Sequence, residues 1–224
     1  VPAVRLAREI VEGGELGEVR HFRARYLQDW GDDPSLDTWR FDPDAAGSGA
    51  LGDLMTHVVD LARFLNGEVS TVSGFAHTFL PGRKVDDAVE AAVHFANGSV
   101  GTLEATRFAH GRRNAFQWEI NGTKGSLAFD MERLNELQYS EGTKGFRTIN
   151  VTEPEHPFAS FWWPAGHIIG YEHTFVHEIH HLLAAIAGDG RIAPHGATFD
   201  DGYRAAEVCD AILRSAATWK REAV

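Results

Sequence analysis

Three residues that can move protons or bind hydroxyl groups recur in one short stretch. They are Asp53, His57 and Asp60, within Gly47-Ser-Gly-Ala-Leu-Gly-Asp-Leu-Met-Thr-His-Val-Val-Asp60. In an α-helix, positions i, i+4 and i+7 turn to nearly the same angle, so the three side chains are expected on one stripe. A carboxylate one turn from an imidazole, at the edge of a packed helix, suits general acid–base chemistry. The same spacing also makes ordinary structural pairs, so it does not decide between the two. A second stripe, Leu51, Leu54, Met55, Val58, Leu61, Ala62 and Leu65, is the apolar face of a helix packed on a core.

Other motifs compete for attention. Gly47-Ser-Gly-Ala-Leu-Gly52 matches the G-x-G-x-x-G dinucleotide fingerprint in letters only. That fingerprint needs a buried strand just before it, inside a βαβ unit, and Phe41-Asp-Pro-Asp-Ala-Ala46 cannot supply one. The glycines are expected instead to allow close backbone approach and to aim the helix at a cleft. His177-Glu-Ile-His-His181 matches the zinc signature H-E-x-x-H, with Glu207 a conceivable third ligand. The apolar residues of that helix, Phe175, Ile179, Leu182, Leu183 and Ile186, are expected to face the core. His173, His177, His180 and His181 would then lie in water, and no metal site is expected. A nucleophile elbow, G-x-S-x-G, is absent from the sequence. The loop from Phe158 to His167 gathers Phe161, Trp162, Trp163 and a histidine. Trp163 and His167 could wall a sugar, aromatic faces covering C–H surfaces, or could form a packing plug. Trp39 and Arg40 offer a similar pair, Arg40 to a substrate oxygen or to an internal carboxylate such as Asp42 or Asp44.

These residues need a scaffold, and the rest of the chain describes one. With 224 residues and a hydrophobic share of 43%, the chain suits one globular domain. A formal net charge of −11, with no basic block, argues against nucleic acid and anionic membranes as partners. No apolar run approaches the ~18 residues that span a bilayer. Cys209 is the only cysteine, so no internal disulfide is possible, which fits a reducing cytoplasm. A helix is predicted from Pro2 to Gly13-Gly14, a strand over 18–30, a loop over 31–46, and then the central helix to Asn66-Gly67. From Glu68 the period changes to two. Strands are predicted over 69–80, 87–95, 99–108, 115–121, 126–130, 134–140 and 146–151, with Asn97-Gly98 a hairpin turn. Two helices, about 171–187 and 199–221, close the chain. Strands in a run joined by short turns predict an α+β domain, a large, open, mostly antiparallel sheet with helices on one face. The bare face is expected to carry Phe, Val and Trp residues and to self-associate.

The same residues carry a family resemblance. Pro2-Ala-Val4, Gly14-Glu-Leu-Gly17-Glu-Val, Trp39-Arg40, the Gly47–Asp60 motif, Asn121-Gly-Thr-Lys-Gly125-Ser, Trp163-Pro-Ala-Gly-His167 and Gly202-Tyr203 occur in that order. In this the sequence resembles the C-terminal domain of the Gfo/Idh/MocA oxidoreductases, the group of glucose-fructose oxidoreductase and inositol dehydrogenase. The resemblance implies a dihydrodipicolinate-reductase-like C-terminal domain whose open sheet face forms a homodimer or homotetramer. It implies an N-terminal Rossmann domain, absent from these residues, that binds NAD or NADP and supplies a catalytic lysine. It implies a sugar or polyol substrate, with Asp53 and His57 in proton transfer and Asp60, Arg40, Trp39, Trp163 and His167 about the substrate. Met55 stands where the family usually has glycine. A chain that starts at Val1 and runs directly into a helix reads as a piece of a longer enzyme, inactive alone. The alternative is a non-catalytic oligomerisation or sugar-binding module.

Overall fold

The computed structural model describes residues 1–33 and 35–224, so Pro34, which falls in the predicted loop, lies outside the described residues. The elements in chain order are α1 (Pro2–Glu12), β1 (Val19–Leu27), a short α2 (Pro43–Ala46), a π-helical turn (Leu51–Met55) and α3 (Thr56–Asn66). Then come β2 (Val69–His77), β3 (Ala88–Phe95), β4 (Val100–Thr106), β5 (Ala115–Gly122), β6 (Gly125–Asp130), β7 (Glu136–Glu141) and β8 (Arg147–Asn150). The chain closes with α4 (Tyr171–Ala187), α5 (Phe199–Thr218) and β9 (Glu222–Ala223).

One nine-stranded sheet runs β8-β7-β6-β5-β1-β4-β3-β2-β9. Every pairing is antiparallel except β1 with β4. The α+β reading therefore holds, with two differences in detail. The last helix stops at Thr218, where Trp219 turns left-handed at φ 58°. The next residues pair with β2 as a ninth, edge strand rather than extending the helix. The 31–46 loop also has local order, with 3₁₀ turns at Trp30–Asp32 and Trp39–Phe41 and the α2 turn.

The core lies between the sheet and α1, α3 and α5. Phe22, Ala24, Val89, Ala91, Val93, Leu103 and Ala105 on the strands meet Leu54, Met55, Val58, Leu61, Ala62 and Leu65. Ala205, Val208, Cys209 and Ile212 of α5 close it from the side of β2. Each fully buried Leu, Ile or Phe here contributes about 1.5–3 kcal/mol of transfer free energy. Thr198 and Asp201 cap α5 reciprocally, the threonine hydroxyl taking the Asp201 amide and the carboxylate taking the Thr198 amide. Burial pushes the Cys209 thiol up to about 12, so it is an inert packing group.

The opposite sheet face differs from the expectation of an apolar surface. It carries Arg23, Arg25, Glu90, Glu104, Gln117 and Glu119, alternating with inward apolar residues. Glu90 and Glu104 sit directly opposite each other. Burial, then Glu90, raises the Glu104 carboxyl above its usual range. Apolar exposure on this side is concentrated at one edge, where Phe75, His77, Phe79 and Phe108 form a ladder with Trp219 beside it, and Val100 adds an isolated exposed side chain. Strand alternation predicted two faces correctly; the charged residues were simply the outward half of each strand.

Candidate functional site

The sheet topology gathers four strand ends at one edge. Parallel β1 and β4 end together, Leu27 opposite Thr106. Antiparallel β3 and β5 begin there, Ala88 opposite Thr106 and Ala115 opposite Leu27. Gln28 and Trp30, Arg107, Asp86 and Asn114, far apart in sequence, become neighbours around the glycine turn.

That turn is held by a single carboxylate. The amides of Gly49 and Leu51 donate to the two Asp86 oxygens at 2.7 Å each, and the Ala50 amide donates to the Asp86 carbonyl at 2.9 Å. Asp86 thus caps the helix that carries Asp53 and His57, its charge at the positive end of the dipole. Gly49 is required for space: a Cβ there would lie 1.7 Å from the Asp86 carbonyl oxygen and 2.5 Å from Arg107 Nη2. These contacts also test the turn as a dinucleotide cradle, and it does not fit. The amides that would bind a pyrophosphate are engaged by Asp86, and α2 rather than a strand leads into the turn.

The first helical turn after the glycines is π-helical, Leu51–Met55, rather than the regular α-helix that the stripe of Asp53, His57 and Asp60 assumes. A wider turn changes the angular step, and such turns favour functional positions. Asp53 faces two guanidiniums. Its Oδ1 lies 3.7 Å from Arg40 Nε and its Oδ2 lies 3.7 Å from Arg107 Nη1. Arg40 thus meets an internal carboxylate, Asp53, in place of Asp42 or Asp44, and lies over the Trp39 ring at 4.6 Å. Asp42 instead caps α2. Among the described residues no hydrogen-bond donor reaches the Asp53 carboxylate, so its lone pairs are open to a ligand hydroxyl. Met55 is fully buried in the core and does not reach the site.

His57 is exposed on the next turn, with Tyr26 of β1 edge-on to its ring at 6.1 Å between centroids. The Tyr26 hydroxyl donates to Asn114 Oδ1 at 2.6 Å. Gln28 Nε2 donates to the same oxygen at 2.8 Å, and Trp30 Nε1 donates to Gln28 Oε1 at 2.5 Å. Burial, then Tyr171 and Asp53, raises the Tyr26 phenol above its ordinary value. Tyr26 therefore stays a neutral donor fixed by its network. Asp60 is half-buried; burial raises its carboxyl above the usual range, against the opposing pull of Arg63 and His57.

The aromatic loop is placed differently from the Asp53 cluster. Trp163 and His167 are exposed, with ring centroids 6.3 Å apart. Among the described residues neither contacts Arg40, Asp53 or His57. Their neighbour Trp162 donates its Nε1 to His177 Nε2 at 2.7 Å. Phe158 stacks on His177 at 4.5 Å and packs at a tilt against His181 at 5.3 Å. This corrects the reading of α4. His177 is buried, not in water, and burial lowers its imidazole to about 4. The apolar stripe Phe175, Ile179, Leu182, Leu183 and Ile186 is exposed, from 46% at Leu182 to 73% at Ile186. Amphipathic spacing identifies two faces of a helix but not which one has a partner within the chain. Among the described residues no group of three or more His, Cys, Asp or Glu side chains is arranged to hold a metal, and no helix is long and apolar enough to cross a membrane.

Three positions that shape this candidate site escaped the sequence reading. Asp86 leaves no local trace of its role, because its partners lie 35 and 37 positions earlier. Tyr26 reads as an ordinary strand aromatic. Arg107 did carry a signal: Leu103, Ala105 and Arg107 share the inward register of β4 and its extension, and a charge at an inward position needs a partner.

The family described as GFO/IDH/MocA C-terminal domain matches residues 4–128. The chain is 43% identical to levoglucosan dehydrogenase from Pseudarthrobacter phenanthrenivorans, over 96% of this chain and 62% of that protein. Superposition on an oxidoreductase domain protein from Kribbella flavida gives a TM-score of 0.93 at 44% identity, covering 100% of this chain and 63% of the other. A levoglucosan dehydrogenase in complex with NADH and levoglucosan gives 0.94 at 44% identity, with the same coverage. The chain thus spans less than two thirds of the length of these relatives. The Gly47–Asp60 motif, the nine-stranded sheet and these matches agree, and the chain belongs to the Gfo/Idh/MocA family as its C-terminal domain.

Proposed function

We propose that this chain is the substrate-binding half of an NAD-dependent dehydrogenase that oxidises a secondary alcohol of a sugar, anhydrosugar or polyol. The observation that carries the reading is the pairing, on successive turns at the convergent strand ends, of a carboxylate framed by two guanidiniums but not hydrogen-bonded, Asp53, with an exposed imidazole, His57. Likeness to a levoglucosan dehydrogenase supports the substrate class and the cofactor. The nicotinamide nucleotide belongs to a further domain, because the glycine turn here is closed by Asp86. When bound, the nicotinamide supplies a hydride acceptor.

This chain's residues handle the proton. As the C–H bond of the carbinol is lost as hydride, the hydroxyl must give up its proton, and His57 takes it. Asp53 accepts a hydrogen bond from a substrate hydroxyl and holds the alcohol in line. Arg40 and Trp39 flank that hydroxyl, and Asp60 binds a neighbouring one. Trp163 and His167, exposed on their loop apart from Asp53, are the candidate aromatic wall for the sugar, and the exposed apolar stripe of α4 is a surface a further domain could bury.

The test is turnover by the full-length enzyme with NAD⁺ and NADP⁺ against a panel of anhydrosugars, hexoses and inositols. His57→Ala and Asp53→Asn are each expected to lower kcat by roughly 10²–10⁴-fold. Wild-type turnover in both variants overturns the assignment. Absence of turnover with every substrate supports a non-catalytic module instead.

The assembly is proposed to be a homodimer or homotetramer through the open sheet face, with exposed Phe75, Phe79 and Trp219 at its apolar edge. Light scattering on eluted full-length protein should give two or four times the chain mass. Phe79→Asp should lower it, and a monomer in the wild type rules it out. The cytoplasm is the proposed compartment, in keeping with one buried thiol.

A further inference from the structure

Arg107 is fully buried, 0% exposed, at a place where a charge is costly. Its guanidinium has Trp30 at 5.0 Å and Phe41 at 5.4 Å, and Phe41 in turn carries Arg83 at 3.4 Å. Among the described residues only Nη2 makes a hydrogen bond, to the Asp86 carbonyl at 3.2 Å. Nε and Nη1 are buried without a hydrogen-bond partner there. The nearest carboxylate to Nη1 is Asp53 Oδ2, at 3.7 Å. A side chain used only to fill this space would be apolar, since buried donors left without partners are costly. A side chain used only to tie the loop to β4 would direct its donors at loop carbonyls. This one is wedged so that its unpartnered edge faces Asp53.

We propose that Arg107 is a positioning residue for Asp53. It fixes the carboxylate from the protein side, at ion-pair rather than hydrogen-bond distance, so that the oxygens remain open to a substrate hydroxyl. Arg40, on the exposed side, is the companion that the substrate meets. The Trp30–Phe41 stack and Gly49 set the height of Arg107, because any Cβ at residue 49 would strike its Nη2. The role in turnover rests on the dehydrogenase reading above; the anchoring of Asp53 does not.

The test is a double-mutant cycle on full-length protein: wild type, Arg107→Met, Asp53→Asn and the double variant, with kcat and KM measured on the best substrate found. If Arg107 acts through Asp53, Arg107→Met alone lowers kcat/KM by about 10–100-fold but changes the Asp53→Asn enzyme by less than about 3-fold. Multiplying effects overturn the proposal. Arg107→Lys, which keeps charge without the planar stack, should retain more activity than Arg107→Met, and it takes that variant's place in the cycle if Arg107→Met does not fold. Urea unfolding of the same four proteins reads the contact without turnover. The shift in midpoint caused by Arg107→Met should differ between the wild-type and Asp53→Asn backgrounds. Equal shifts overturn the anchoring even if no substrate is found. A real coupling together with an Asp53→Asn enzyme of undiminished turnover would refute the dehydrogenase assignment of Asp53 alone.

Discussion

Replacing Gly49 with alanine should be among the most damaging single-methyl additions this domain can receive. The added Cβ would sit 1.7 Å from the Asp86 carbonyl oxygen, 2.7 Å from its carbon and 2.5 Å from Arg107 Nη2. Neither the β3 lead-in nor a wedged guanidinium can withdraw, so the turn must lift. Lifting it breaks two amide-to-carboxylate bonds, Gly49 and Leu51 to Asp86, and one amide-to-carbonyl bond, Ala50 to Asp86. At about 1.5–3 kcal/mol for each charge-assisted bond and about 0.5–1.5 for the neutral one, the loss is roughly 3.5–7.5 kcal/mol. Gly52→Ala is the matched control. Its Cβ meets only the Ser48 side chain, with the hydroxyl at 2.6 Å, the free end of a small group. That variant should unfold within about 1 kcal/mol of wild type. Urea denaturation followed by tryptophan fluorescence measures both. A Gly49→Ala protein within about 1 kcal/mol of wild type would contradict the claim that Asp86 holds the turn and aims the helix.

Other perturbations have definite outcomes. His177 is held neutral down to about pH 4 by burial first, with the imidazoles of His173, His181 and His180 adding to it. The unfolded chain takes up that proton first, so this group's contribution is present above the ordinary histidine value of 6.5 and is lost between there and about pH 4. The gap corresponds to about 3 kcal/mol, reduced by solvent screening to about 1–2. Unfolding midpoints from pH 7 to pH 4.5 should fall less steeply for His177→Gln than for wild type; parallel curves would contradict the buried assignment. The Asp60 carboxyl is raised in the folded state, so its charge destabilises the fold above that range, and the penalty vanishes once pH drops below the unfolded value. Asp60→Asn should therefore melt at a higher temperature at pH 7 while raising KM for substrate, and a lower melting temperature would argue against its burial. Leu183→Glu on the exposed stripe of α4 should shift the unfolding of this chain by no more than about 0.5 kcal/mol. It should also reduce binding of a hydrophobic dye, whereas Ile212→Glu in the core should abolish folding.

Much of the architecture follows from local rules. The apolar repeat from Leu51 to Leu65 needed a core, and all of its members are buried. The period-two segments became strands within a few residues of their predicted ends, because side-chain alternation is a local property of extended backbone. Asn97-Gly98 made its hairpin, with Gly98 at φ 88°. Residue type and spacing placed Asp53 and His57 on successive turns of one helix, and the structure has them there; their proton-transfer roles are part of the proposal.

What the sequence did not decide depends on contacts between distant segments. A helix pattern cannot reveal that its first turn is π-helical, because the register is set by Asp86 holding the turn in front of it. The stripe on α4 did not say which face would be covered, and the histidine face was the one that found Phe158 and Trp162. The polar character of the open sheet face followed from which half of each strand met the helices. The order of strands, with β1 parallel to β4 in the middle of the sheet, is what brings Arg107 to Asp53 from a distant part of the chain. Residue types and spacings determined that a carboxylate and an imidazole would stand one turn apart on a buried helix. Only the tertiary structure decided that two guanidiniums would frame the carboxylate, since a charge in an inward strand position has no meaning until its partner is folded against it.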